Sequence, residues 1–359
     1  MEGSKLARVR PYILLLALAF LLRYFLVDRP AGQDWAAYLF AASKIPELFI
    51  PVNFAYEPEL FPLIFYLFLF VGDFDFVASL VYFLLAASIY RYSGDFYISL
   101  VVVFNPYVFR LSLDFLKETL AFALIFLYLS GFRHVSPVLP LVHHVGLAFT
   151  PFTLVSRDLS SRVRVLALVS TVASGVYVIS MTGELYLVPS AILLLALILF
   201  HRIGGVRGRP ELYFPAVISL IVALHILSQY PYRFFFVVPL TLAFIPKLGI
   251  LSRKQNIYSR FIPLASAFLI MSSVFYVYGF VELPFVGRVS SLSFTSYEYS
   301  LVDSLKVDDG VVLSNEKLCK LISYRWGLRC VTADMLDRGL VEAGDVKAIV
   351  VEGRVIYLG

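Results

Sequence analysis

The stretch FDFVASLVYFLLAASIYRYSGDFYISLVVVFNPYVFRLSLDFLKETLAFALIFLYLSG, residues 74–131, decides how the chain is read. It holds three apolar runs, 76–90, 96–109 and 116–131. A basic turn at Arg91 parts the first two, and the polar stretch NPYVFRLSLDFLKE, 105–118, parts the second from the third. Runs of this kind read as bilayer-crossing helices, each needing about 20 apolar residues. Outward from this block the pattern recurs at 11–27, 164–181, 186–200, 212–229, 234–246 and 261–280. The segment SPVLPLVHHVGLAFTPFTL, 136–154, is apolar but interrupted by His143, His144 and three prolines. It reads as two half-length helices that enter and return, because broken backbone persists at membrane depth only where protein or a water-filled cavity surrounds it. Counted twice, it brings the expected number of spans to eleven.

Composition points the same way. Of 359 residues, 60% are apolar, 16% aromatic and only 15% charged, against about 25% charged in an average soluble domain. These values exclude disorder and predict an α-helical polytopic membrane protein of the plasma membrane. The net charge of +5 matters less than where the cations fall. Half of the thirty Lys and Arg lie before the first run or in alternate loops (Arg91, Arg133, 157–164, 202–209, 247–260), and five lie in the opposite membrane loops. Cations stay cytoplasmic, so the amino terminus is expected inside and residues 281–359 outside. No nucleic-acid partner is expected. The first apolar run lacks a convincing small-residue cleavage site, so no cleavable signal peptide is expected.

Residues 281–359 differ from the rest. VVLS at 311–314, LRCVTA at 328–333 and VKAIVVE at 346–352 read as strands, and NEKLCKLISYRWG at 315–327 has helical spacing. The order predicts a small α/β domain, leaving 1–280 as the membrane domain. Both cysteines, Cys319 and Cys330, lie in this tail. An exported location permits a Cys319–Cys330 disulfide; two buried free thiols are the alternative. Two cysteines are too few for a disulfide scaffold or a four-cysteine zinc site.

Polar residues collect on the expected outer side. The loop 28–75 carries Asp34 beside Trp35 and Tyr38, then Glu57 and Glu59, and a fourteen-residue apolar segment 59–72. That length suits a helix lying at the membrane face. The second outer loop brings Arg110, Asp114, Lys117 and Glu118 together; the last three fall at helical spacings that share one face. His143 and His144 fall at the turn of the broken hairpin, where capping or substrate contact suits them better than joint ligation of one metal. Arg233 ends another run. Solvated loop acids, a self-neutralising surface anchor and snorkelling cations account for each of these residues taken singly. Carboxylates, cations and imidazoles from four loops on one face account for more.

In their order and spacing, LALAFLLRYFLVDRPAGQDWAAYLFAA (16–42), EPELFPLIFYLFLFVG (57–72), the block 76–129 and YRFFFVVPLTLAF (232–244) resemble the GT-C class of membrane glycosyltransferases, in particular its protein O-mannosyltransferase and aminoarabinose-transferase branch. The chain departs from that pattern at Asp34–Trp35, where relatives often carry two adjacent acids, and at Pro58–Glu59–Leu60, where they often carry two prolines before the leucine. The resemblance implies a polyprenyl (dolichyl-type) phosphate sugar donor, a glycan, lipid or protein acceptor, and transfer with inversion on the extracytoplasmic face. It makes Asp34 the base that takes the acceptor proton, and Arg110, Lys117 and Arg233 the cations for the leaving phosphate. Glu57, Glu59 and Asp114 follow as further acids, with Tyr38, His143 and His144 as substrate contacts. Mg²⁺ or Mn²⁺ enters as a cofactor in oligosaccharyltransferase relatives. Three other readings remain at this level. One is a polymerase or ligase of polyprenyl-diphosphate-linked glycans; a second is a glycolipid flippase or transporter, which calls for charges within the spans; a third is a non-catalytic receptor that binds a partner through the outer α/β tail.

Overall fold

The computed structural model describes residues 2–26, 34–43, 73–155, 159–182, 236, 238–246, 265, 267–276, 282–283, 294–337, 341–351 and 353–358. Its helices, in chain order, are α1 (Glu2–Leu26), α2 (Asp34–Ser43), α3 (Phe74–Ser93), α4 (Phe96–Val103), α5 (Pro106–Asp114), α6 (Leu116–Leu129), α7 (Leu139–Val142), α8 (His144–Val155), α9 (Ser161–Thr182), α10 (Ala267–Tyr276), α11 (Ser296–Asp303), α12 (Glu316–Trp326) and α13 (Ala333–Asp337). The strands are β1 (Val311–Leu313), β2 (Arg329–Val331), β3 (Val346–Val351) and β4 (Arg354–Tyr357). The chain divides into two units. One comprises Met1–Asp28, Glu59–Phe61 and Asp75–Arg288; the other comprises Arg29–Pro58, Pro62–Phe74 and Val289–Gly359.

In the first unit the apolar runs are broken by local backbone chemistry. α3 ends at Gly94, whose φ of 71° suits a residue without Cβ. Asp95 then caps α4 by accepting a hydrogen bond from the Ile98 N–H at 2.9 Å. The next run breaks at Asn105–Pro106. Asn105 caps Tyr107 N–H at 3.0 Å, and Pro106 opens α5 where its missing N–H costs nothing. α4 and α5 are therefore bent by 58°. A second break falls at Phe115, bridged by the Thr119 hydroxyl donating to Leu111 and Phe115 carbonyls at 3.0 and 2.9 Å. α6 is buried along nearly its whole length.

α7 and α8 meet at His143, whose backbone is extended. They pack so closely that a Cβ on Gly146 would lie 2.0 Å from the Leu139 carbonyl oxygen. The Ser136 and Thr153 hydroxyls bond to each other across the same region. Phe244 packs on Tyr92 and Phe126, with ring centroids 4.6 and 5.9 Å away, and the Ser273 hydroxyl donates to the Phe104 carbonyl at 2.8 Å.

This geometry corrects the expectation of eleven membrane spans. Among the described residues, one helix (Phe74–Ser93) is long and apolar enough to cross a membrane, or two if the bent pair α4–α5 counts as one. The apolar helical part of α1, Pro11–Phe25, and α10 fall short by length, and α6 has 14 residues. The physical reason is that hydropathy counts apolar residues, whereas caps and breaks set a helix's length: Asn105–Pro106 interrupts the run 96–109, and α6, between the Phe115 break and its end at Leu129, holds only 14 residues. The expected runs 186–200 and 212–229 and the surface helix 59–72 lie outside the described residues.

The second unit is a four-stranded sheet of order β2-β1-β3-β4. β1 pairs in parallel with β2 and β3, and β3 pairs antiparallel with β4. α12 connects β1 to β2. Asn315 caps its start by accepting from Leu318 N–H at 2.8 Å, and Gly327, left-handed at φ 68°, ends it. Its apolar face (Leu318, Cys319, Leu321, Ile322) packs with Val312, Cys330, Ala348 and Val350 of the sheet and with Leu301, Val302 and Leu305. Val311, Val331, Val341 and Val346 form a second cluster. Cys319 and Cys330 are joined by a disulfide, which ties α12 to β2. α2 belongs to this unit as well: Trp35 meets Tyr324 of α12 edge-on at 5.0 Å and Phe294 at 5.9 Å.

Candidate functional site

Asp34 stands in the first turn of α2, where the exposed N–H groups of a helix favour a negative charge. Its carboxylate is about four-fifths buried, and Oδ1 accepts a hydrogen bond from the Lys320 ammonium at 2.7 Å. One helical turn before Lys320, Glu316 places its Oε1 2.8 Å from the same nitrogen. Lys320 is thus clamped between two carboxylates with 9% of its side chain exposed, while Glu316 is 46% exposed. Burial by itself would lower the lysine pKa. The charges of Asp34 and Glu316 and their hydrogen bonds outweigh it, so the ammonium is held well above the usual lysine value.

The sequence predisposes α12 to this arrangement. Glu316 precedes Lys320 by four residues, the favourable order for a helical ion pair. Lys320 lies among Leu318, Cys319, Leu321 and Ile322, the buried face of the helix. A lysine on a buried face must bring partners with it. That signal is present in the sequence and singles out Lys320 and Glu316, which lie outside the outer loops where the other candidate residues collect.

Tyr38, one turn along α2, is buried and stacks on Phe74 with centroids 6.4 Å apart. Together with Trp35 it gives α2 an aromatic side next to its acidic start.

The other expected site residues lie in the first unit or outside the described residues. Arg110 is buried on α5 and Glu118 is buried on α6; Lys117 is half-buried. The expectation that Asp114, Lys117 and Glu118 share one helical face does not hold, because the helix breaks at Phe115, between Asp114 and Lys117. His143 is buried, and its Nδ1 accepts from the Val145 N–H at 3.4 Å, a cap at the start of α8. His144 opens that helix. Arg23, within the first apolar run, is fully buried with Nη1 3.4 Å from Asp75 Oδ1. Glu57, Glu59 and Arg233 lie outside the described residues.

Among the described residues no group of three His, Cys, Asp or Glu side chains converges to hold Mg²⁺ or Mn²⁺. The two carboxylates that do converge, Asp34 and Glu316, already hold an ammonium between them, so this pair does not fit a divalent ion.

No protein-family model matches the chain, and no curated protein matches it.

Proposed function

We propose that the protein is a glycosyltransferase that moves a sugar from a polyprenyl phosphate to an acceptor hydroxyl on the extracytoplasmic side of a membrane, with Asp34 as the base. The observation that carries this reading is the Asp34 carboxylate itself. It is fixed by an ion pair at a helix start, partly open to solvent, and flanked by Trp35 and Tyr38. The resemblance of residues 16–42, 57–72, 76–129 and 232–244 to membrane glycosyltransferases supports the reaction class. Apolar residues turned outward on α1 (Ile13, Leu14, Phe25), α9 (Val165, Leu166, Val169) and α10 (Phe268, Met271) support a lipid setting.

In the reaction, the acceptor oxygen forms a bond to the anomeric carbon as the bond from that carbon to the phosphate oxygen breaks. The electron pair leaves with the polyprenyl phosphate. The acceptor proton passes to Asp34, which later releases it to water. The resemblance gives the phosphate-binding role to Arg110, Lys117 and Arg233.

Asp34→Asn tests the assignment. The asparagine Oδ1 still accepts from Lys320, so the tie between α2 and α12 is kept while the base is lost. With polyprenyl phosphate carrying radiolabelled mannose, glucose or aminoarabinose as donor and cell-envelope extract as acceptor, the variant should lose at least about 100-fold in transfer rate. Transfer at the wild-type rate removes Asp34 from the mechanism. A wild-type protein inactive with every donor overturns the proposed reaction.

A further inference from the structure

We propose that Lys320 is a positioning residue for Asp34: its ammonium, clamped by Glu316 from the adjacent helical turn, fixes the orientation of the carboxylate that accepts the acceptor proton. The inference rests on the glycosyl-transfer reading and adds to it a residue 286 positions away in sequence.

Three features separate this arrangement from an ordinary surface ion pair. The first is burial. With 9% of its side chain exposed, Lys320 cannot exchange Asp34 for water, so the contact is a fixed part of the structure. The second is the scaffold. Lys320 follows Cys319 directly, and the disulfide to Cys330 anchors that turn of α12 to β2. Trp35, next to Asp34, is wedged against Tyr324 and Phe294. Both ends of the 2.7 Å contact therefore sit on backbone that further contacts hold in place.

The third feature is the second acid. Two carboxylates sit on one ammonium, at 2.7 and 2.8 Å, so the ammonium is gripped from both sides and Asp34 is oriented through Oδ1. Glu316, the more exposed acid, shares the hold on the ammonium.

The test is kcat and donor KM in three variants of the full-length protein. Removing the cation with Lys320→Met frees the Asp34 carboxylate from its anchor. Turnover should fall by about tenfold or more through lost orientation, with donor KM changed less than about twofold. Lys320→Arg, which keeps a cation on the carboxylate, should return kcat toward the wild-type value. Glu316→Gln, a change at a half-exposed side chain, covers the case in which Lys320→Met does not fold. It loosens the clamp on the ammonium, so kcat should fall in the same direction by a smaller factor, again with donor KM little changed. A purely structural tie predicts lower stability with kcat unmoved in the folded variants, and that outcome overturns the inference while leaving the proposed reaction standing. A wild-type protein without transferase activity overturns the reaction and the inference together.

Discussion

The two units reach order by different routes. In the second unit, short elements are fixed one at a time by chemistry that is local in sequence. Thr295 and Glu298 cap α11, Asn315 and Gly327 bound α12, and a disulfide closes an eleven-residue separation. In the first unit, helices are bounded by breaks inside long apolar runs and held by backbone approach and ring packing. Gly146 lies under the Leu139 carbonyl, and the rings of Phe244, Tyr92 and Phe126 pack on one another. Apolar content tells how much surface must be hidden. It does not tell where a helix stops; caps and close contacts do that.

The sharpest way to break this comparison is to fill the close approach. Gly146→Ala places a methyl where the Leu139 oxygen already sits 2.0 Å away, so α7 and α8 must separate. Backbone cannot step aside as a flexible side-chain end can, and the loss should reach the upper end of the overpacking range, about 3 kcal/mol. Hydrogen exchange at the α7 and α8 amides is the readout, with a shift in thermal unfolding. Protection equal to wild type would mean that the first unit does not depend on this contact.

In the second unit the corresponding intervention is covalent. Replacing Cys319 and Cys330 with serine opens a short loop, and the chain-entropy model assigns such a loop about 3 kcal/mol. Exchange protection of α12 and β2 should fall by that amount. The same substitution loosens the turn that carries Lys320. If protection holds while the disulfide is gone, the core of Leu318, Leu321, Ile322 and Ala348 suffices alone, and the contrast between the units weakens.

The same contrast explains what could be read from the sequence. The strands at 311–313, 329–331 and 346–351 and the helix at 316–326 coincide with the alternation and caps visible in VVLS, LRCVTA, VKAIVVE and NEKLCKLISYRWG. The expectation of eleven spans exceeds what forms because hydropathy does not register the stop signal Asn105–Pro106 inside the run 96–109, nor how short the apolar helices Pro11–Phe25, Leu116–Leu129 and Ala267–Tyr276 are. The break at Phe115, which carries no side-chain cap to announce it, is also why helical spacing places Asp114 and Lys117 on one face that does not form. For the candidate site, Asp34 is legible as an acid next to aromatic residues. Its pairing with Lys320 is not, because helical periodicity is blind to contacts 286 residues apart, although a lysine amid Leu318, Cys319, Leu321 and Ile322 signals a buried cation in need of partners.

The smallest expected effect probes a single cap. The Glu298 carboxylate accepts from the Thr295 N–H at 2.6 Å and pairs with Lys317 at 2.8 Å, while the Thr295 hydroxyl accepts from the Glu298 N–H at 3.1 Å. Burial alone would raise the Glu298 pKa. The hydrogen bonds from Lys317 and Thr295, with the charge of Lys317, outweigh it and hold the group below the ordinary glutamate value. A carboxylate lowered in the folded state contributes stability that is whole above the ordinary value, about pH 4.3, and is lost as pH falls through the folded-state value. Protection of the α11 amides should therefore decline below that point. Thr295→Ala should cost about 1 kcal/mol near neutral pH. It should also shrink the acid-linked decline without abolishing it, because Lys317 and the backbone N–H of residue 295 still hold the carboxylate. An α11 whose exchange is indifferent both to acid and to Thr295→Ala would show that packing of Leu301 and Val302, and not the cap, sets where this helix begins.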